Sequence, residues 1–274
     1  MAVPILLYHS VSSTASSGFS RWAVSPARFA EQMHLLAEGG YQAITVSEYA
    51  QCMLGEAELC DKPVLITFDD GFADFETTAL PILRQFGLRS TLYLATEYLD
   101  ATSRWLASEG EASRSMLKWS DVAAIADGDG DVEIGSHGHS HRQLDTLRLR
   151  DAVEDIERSK NLLETQLGLT IRSLSYAHGY STRALRREVA TMGLTSACGV
   201  KHALSSIRDD RFALARIIVQ ENADRAGFER LLQGQGLRIA PPTATVPAWG
   251  WRWVRRINEA GRRVRVEGLP WSRV

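Results

Sequence analysis

Short apolar runs alternate along the chain with segments of helical periodicity, and polar turn residues punctuate both. Ser25-Pro26 opens the first helix, with Ser at the N-cap and Pro at the first position. Phe29, Met33 and Leu36 space its apolar face, and Gly39-Gly40 stops it. A strand is predicted over 43–46, followed by a helix capped by Ser47. Next comes an apolar run over 64–68, too short for a helix and suited to a buried strand. A helix carrying Leu80, Ile82 and Leu83 ends at Gly87, and a strand over 90–95 follows. Residues 96–118 read as a loop lying over whatever site the fold builds. Ser120-Asp121 caps a short helix, 122–126, and Val132 and Ile134 mark another strand. A long amphipathic helix covers 149–167. After it the pattern predicts a strand over 173–177, a helix from Thr182, strands over 195–199 and 212–219, and a helix holding Phe228, Leu231 and Leu232. Strands alternating with helices at this spacing predict a parallel sheet or barrel.

Three predicted strands run into polar residues at their carboxyl ends, where α/β barrels carry their sites. The first ends in Thr67-Phe68-Asp69-Asp70-Gly71. Adjacent carboxylates at a strand mouth are costly to desolvate unless paired, hydrogen-bonded or metal-bound. Taken alone they read as an ordinary strand ending in an Asp-Gly turn, and a second polar cluster downstream changes that. The second strand ends in Ser136-His137-Gly138-His139-Ser140-His141. A helical turn would place His137 and His141 together, and an extended chain would align all three His. Either a solvated His-rich loop or a divalent metal held by neutral imidazoles and one carboxylate accounts for the cluster.

The two motifs together, in this order, resemble those of the NodB-type polysaccharide deacetylases, carbohydrate esterase family four. The resemblance spans roughly residues 3–235. It implies an incomplete (β/α) barrel and a metal-dependent N-deacetylase acting on an N-acetylated sugar, polysaccharide or glycan precursor. By that resemblance Asp70, His137 and His141 hold one divalent metal, Zn2+ by default with Co2+, Ni2+ or Mn2+ as substitutes. Asp69 is then the general base. The third strand ends in Tyr176-Ala177-His178-Gly179, which matches the family's oxyanion turn with Ala177 in place of Pro, so Tyr176 and His178 are candidate oxyanion or substrate-binding residues. Two departures stand out. Ser175 occupies the place of the Arg that orients the base, and Leu214-Ala215-Arg216 replaces a late Leu-x-His that supplies the general acid. Arg216 is expected either to pair with Asp69 or to form a surface ion pair. Tyr8-His9-Ser10, at the end of the first predicted strand, resembles a subgroup with an N-terminal His, so His9 is the candidate acid. A hydrolase of a non-sugar amide on the same fold and a non-catalytic glycan-binding barrel are the competing readings.

Composition changes this picture little in the body of the chain and more at its end. Hydrophobic residues make up 45% and charged residues 23% of 274, an ordinary balance for a folded domain. Two units are expected: a barrel over 1–240 and a tail over 241–274. The tail's stretch 243–274 holds four of the seven Trp and seven Arg against Glu259 and Glu267, about +5. With −2 for the whole chain, −7 is left for residues 1–242. Trp with Arg suits peripheral contact with anionic lipid headgroups, and equally a tail packed on its own barrel. Three scattered Cys and no evident leader lead us to expect a cytoplasmic protein, peripheral at the inner membrane face if the tail does bind lipid. No nucleic-acid partner is expected.

Overall fold

Eight strands share one parallel sheet, and after each of the first six a helix carries the chain back to start the next strand. The fold is described from a computed structural model, which covers residues 1–240. The expected lipid contact of 243–274 lies outside the described residues. The strands are β1 (Ile5–Tyr8), β2 (Gln42–Ala43), β3 (Pro63–Phe68), β4 (Ser90–Leu94), β5 (Val132–Ser136), β6 (Ser173–Ser175), β7 (Ser196–Cys198) and β8 (Ile217–Ile218). Their order is β7-β6-β5-β4-β3-β1-β8, with β2 paired to β3 below the main path, and every pairing is parallel. The helices are α1 (Pro26–Glu38), α2 (Val46–Leu54), α3 (Leu80–Gln85), α4 (Trp119–Ala126), α5 (Leu149–Leu167), α6 (Arg183–Val189) and α7 (Arg225–Leu232). This is the incomplete barrel that the motifs implied.

Both faces of the sheet are covered, so the strands read as continuous apolar runs. Alternate residues divide the labour. Val64, Ile66 and Phe68 pack outward with Phe29, Met33, Leu83 and Ile156 of the helices. Leu65 faces inward with Ile5, Tyr93, Cys198 and Leu214. Continuing that inward row, Thr67 and then Asp69 come to the upper rim. On β5 the inward row is Glu133, Gly135 and His137. Gly135 is required there, since a Cβ would stand 2.5 Å from the Tyr93 ring.

The barrel closes by a thin seam. Leu214 forms a single bridge to Cys198 of β7, and three residues later Ile217 pairs with Leu6 of β1. The strand predicted over 212–219 is therefore two residues of ladder and one bridge, because the segment crosses from one edge of the sheet to the other. Three smaller differences are local. The strand predicted over 43–46 stops at Ala43, since Thr45, not Ser47, caps α2 in a capping box with Glu48. Helix α4 starts at Trp119, with the Asp121 carboxylate accepting from the Lys118 N–H at 2.9 Å. Ala2–Val3, Ala203–Ser206 and Arg238–Ile239 form a separate three-stranded sheet that the periodicity did not indicate.

Candidate active site

Two adjacent aspartates reach one site because the backbone changes hand between them. The Asp69 N–H still donates to the Tyr8 carbonyl, 3.1 Å away, so Asp69 extends the β3 ladder and points inward. Asp70 then adopts φ +77° and Gly71 φ +88°, which swings the second carboxylate over the same rim. A Cβ at 71 would lie 2.7 Å from Leu94. His137 likewise stays in register, its N–H bonded to the Leu94 carbonyl at 2.9 Å, and His141 returns to the rim through a left-handed residue, φ +52°. Among the described residues, three of the five non-glycine positions at positive φ (Asp70, His141 and His178) belong to this rim. Such strain persists where the surrounding structure fixes it.

The loop between the two His is braced from α5. Asp155 accepts from the His139 N–H at 2.8 Å, the Ser140 N–H at 3.1 Å and the Ser140 hydroxyl. Gly138 leaves room for that carboxylate, which would lie 2.8 Å from a Cβ. His139 turns away and bonds Thr96 through Nδ1 at 3.0 Å.

Asp70, His137 and His141 bring one donor atom each within 4.8 Å of the others. Asp70 Oδ1 lies 3.2 Å from His137 Nε2 and 3.0 Å from His141 Nε2. Yet this buried oxygen has no properly directed hydrogen bond, although buried polar atoms are nearly always satisfied. His137 Nδ1 lies 2.9 Å from the Ser175 carbonyl, which can only accept, so Nδ1 carries the proton and Nε2 offers a lone pair. An orphaned carboxylate oxygen facing imidazole nitrogens is a donor set that fits a divalent cation.

Beside this cluster, Asp69 is held by a fork. Arg216 Nη1 and Nη2 donate to its two carboxylate oxygens at 2.7 Å each. Ser175 Oγ donates to Asp69 Oδ2 at 3.1 Å and accepts from Arg216 Nη2 at 2.8 Å. Arg216 also reaches Thr67 Oγ1 at 3.2 Å and the Gly199 carbonyl at 3.0 Å, and its side chain is fully buried. The open choice for Arg216 is thus decided: it pairs with Asp69 inside the barrel. Burial pushes Asp69 toward protonation, but the guanidinium, aided by His137, outweighs it and keeps the carboxyl below its usual range.

His9 follows β1 and lies in the same cleft, its ring 4.8 Å from Trp22. Burial lowers its pKa, against the opposing pull of Asp70 and Asp69. His178 also lines the cleft, with its ring 4.7 Å from His141. Burial, then His141, drives its pKa down to about 3, so the ring stays neutral and donates from Nε2 to the His141 carbonyl at 3.3 Å. Tyr176 requires a correction. Its buried hydroxyl donates to the Phe212 carbonyl and its N–H to that of Cys198, both at 3.1 Å, so neither faces the cleft. The matching turn places His178 at φ +59°. The cleft holds about 700 Å³. Trp105, from the loop over 96–118, also lines the cleft, its ring 4.7 Å from that of His141. Trp22, Trp105 and Asp155 carried no signal beyond their residue type.

A family model described as polysaccharide deacetylase matches residues 56–197, just over half of the chain. The chain belongs to the polysaccharide deacetylase family. The Bacillus subtilis protein YxkH, provisionally described as a polysaccharide deacetylase, is 26% identical over 230 residues, covering 82% of this chain and 74% of its own. The poly-beta-1,6-N-acetyl-D-glucosamine N-deacetylase of Escherichia coli K12 is 39% identical over 56 residues, 20% of this chain but 8% of that protein. The structure of IcaB from Ammonifex degensii superposes with a TM-score of 0.72 at 23% identity, covering 85% of this chain and 96% of IcaB. That likeness establishes the fold.

Proposed function

We propose that this deacetylase hydrolyses the acetamide of an N-acetylated glycan, using a divalent metal held by Asp70, His137 and His141. The observation that carries the reading is the convergence of those three donors beside a second carboxylate kept ionised by Arg216. Zinc suits the ligand set, with cobalt, nickel or manganese as substitutes. When bound, such an ion lowers the pKa of water and polarises a carbonyl. Asp69 takes the proton of the attacking water, and Arg216 with Ser175 fixes the carboxylate that receives it. The His178 N–H donates to the oxygen on which negative charge develops. His9 gives a proton to the departing nitrogen as the C–N bond breaks, releasing acetate and a free amine. The intact Asp69, Asp70, His137 and His141 argue against a non-catalytic glycan-binding barrel. A partial relative's name supports β-1,6-linked N-acetylglucosamine as the first substrate to test.

The test is acetate release from N-acetylglucosamine, its β-1,6 and β-1,4 oligomers and a simple alkyl acetamide. We expect release from the sugars, and in Asp69→Asn a loss of ~10²–10⁴-fold with metal retained. No release from any sugar, equal release from the alkyl acetamide, or full activity in Asp69→Asn contradicts the reading. For His9→Ala the loss should be large on amides and small on an activated ester, whose leaving group needs no proton. Equal losses would assign His9 to positioning instead.

A further inference from the structure

The catalytic cleft is not a closed pocket. Ile218 of β8 lines it and also lines a second cavity of about 600 Å³. Pockets of that size accommodate a molecule of several rings (~300–1,000 Å³). The polar part of the second cavity's lining is three carboxamides, Gln220, Asn222 and Gln235, with His202 and the oppositely charged Asp224 and Arg230. Carboxamides both donate and accept, which suits hydroxyl groups rather than a charged ligand. Ala223, Gly227 and Leu231 supply apolar surface between them.

Two features show that this surface is held in place. The turn over 220–224 is tied to the barrel by a buried side chain. Gln32 of α1, 1% exposed, donates from Nε2 to the Ala223 carbonyl at 3.2 Å and accepts from the Tyr8 hydroxyl at 2.9 Å. Tyr8 directly precedes His9, so the same chain of bonds supports the catalytic rim. His202 is one of the few non-glycine residues at positive φ, +43°. Its Nδ1 accepts from the Ile218 N–H at 3.2 Å, so a neutral ring carries its proton on Nε2 and can donate it outward. A strained residue bonded to the very strand residue that lines both cavities points to recognition rather than to packing.

We propose that the second cavity is a saccharide subsite, in which His202, Gln220, Asn222, Arg230 and Gln235 bind a sugar unit of the glycan whose acetamide lies in the catalytic cleft. The inference rests on the glycan reading of that cleft, and it makes the substrate an oligomer or polymer. The subsite binds sugar units remote from the scissile bond and lets their binding energy favour long substrates.

The experiment compares the monomer, trimer and pentamer of N-acetylglucosamine as substrates of the full chain, and titrates the pentamer into Asp69→Asn calorimetrically. In the natural chain kcat/KM should rise about tenfold or more from monomer to pentamer, as two or more added hydrogen bonds would give. The double substitution Asn222→Ala with Gln235→Ala removes two exposed amides without opening the core. It should abolish most of that rise and leave the monomer unchanged. In the Asp69→Asn background it should weaken pentamer binding by about the same factor. A flat length dependence, or unchanged pentamer affinity in the double variant, overturns the subsite while leaving deacetylation intact. Failure to release acetate from any substrate overturns the deacetylase reading instead, and the titration then still decides the subsite.

Discussion

Asp69 and Asp70 are neighbours of one residue type, and their surroundings give them separate tasks. Asp69 meets a bidentate guanidinium and a hydroxyl, which leave it ionised and fixed. Asp70 meets two imidazole nitrogens and keeps an unsatisfied oxygen. The ion pair with Arg216 has a consequence for pH. The folded pKa of Asp69 lies below its unfolded value near 3.9, so the pair's stabilisation is complete above that value and is lost as pH falls through the folded pKa. Arg216→Lys keeps the charge and loses the fork. It should raise the Asp69 pKa, move the acid limb of kcat/KM to higher pH, and make the protein unfold at a higher pH on acidification. An unmoved acid limb with lowered kcat would show that Arg216 acts on something other than the base. The two aspartates, the two metal-side imidazoles and His9 were legible from motif and position. The partner of Asp69 was not, since a lone Arg in an apolar stretch reads equally as a surface charge until the seam of the barrel is seen.

Strand β5 and helix α5 set the geometry of the ligand loop together. The inward alternation of Glu133, Gly135 and His137 delivers one imidazole, and Asp155 from α5 folds the following loop so that His141 returns. Asp155 looked like an ordinary solvated charge on an amphipathic helix, because a helical pattern gives which face a residue occupies and not which loop it meets. Its brace is indirect, so Asp155→Ala should retain the fold and weaken metal affinity about 10–100-fold, the usual effect of removing an outer-shell partner. Metal titration followed by calorimetry checks this, and an affinity equal to that of the natural chain would refute it. The strands and helices themselves followed the periodicity closely wherever the pairing was long, as in β3, β4 and α5. They departed from it where the ladder is short, at β2 and at the β8 seam, since two residues of pairing leave almost no pattern.

At the scale of the molecule, the parallel sheet collects residues from five strand ends onto one rim: His9, Asp69 with Asp70, His137 with His141, His178 and, through the seam, Arg216. That collection brings residues spread from 9 to 216 along the sequence together in one place. The thin seam at β8 is also where a buried Arg enters the interior and where Ile218 lines both cavities. The account stands or falls on the metal. The most direct measurement is acetate release from an N-acetylglucosamine oligomer by protein stripped with a chelator and then titrated with zinc. Activity should vanish on stripping and return at about one equivalent, the stoichiometry of a single Asp-His-His site. Full activity in protein shown to be free of metal would contradict it.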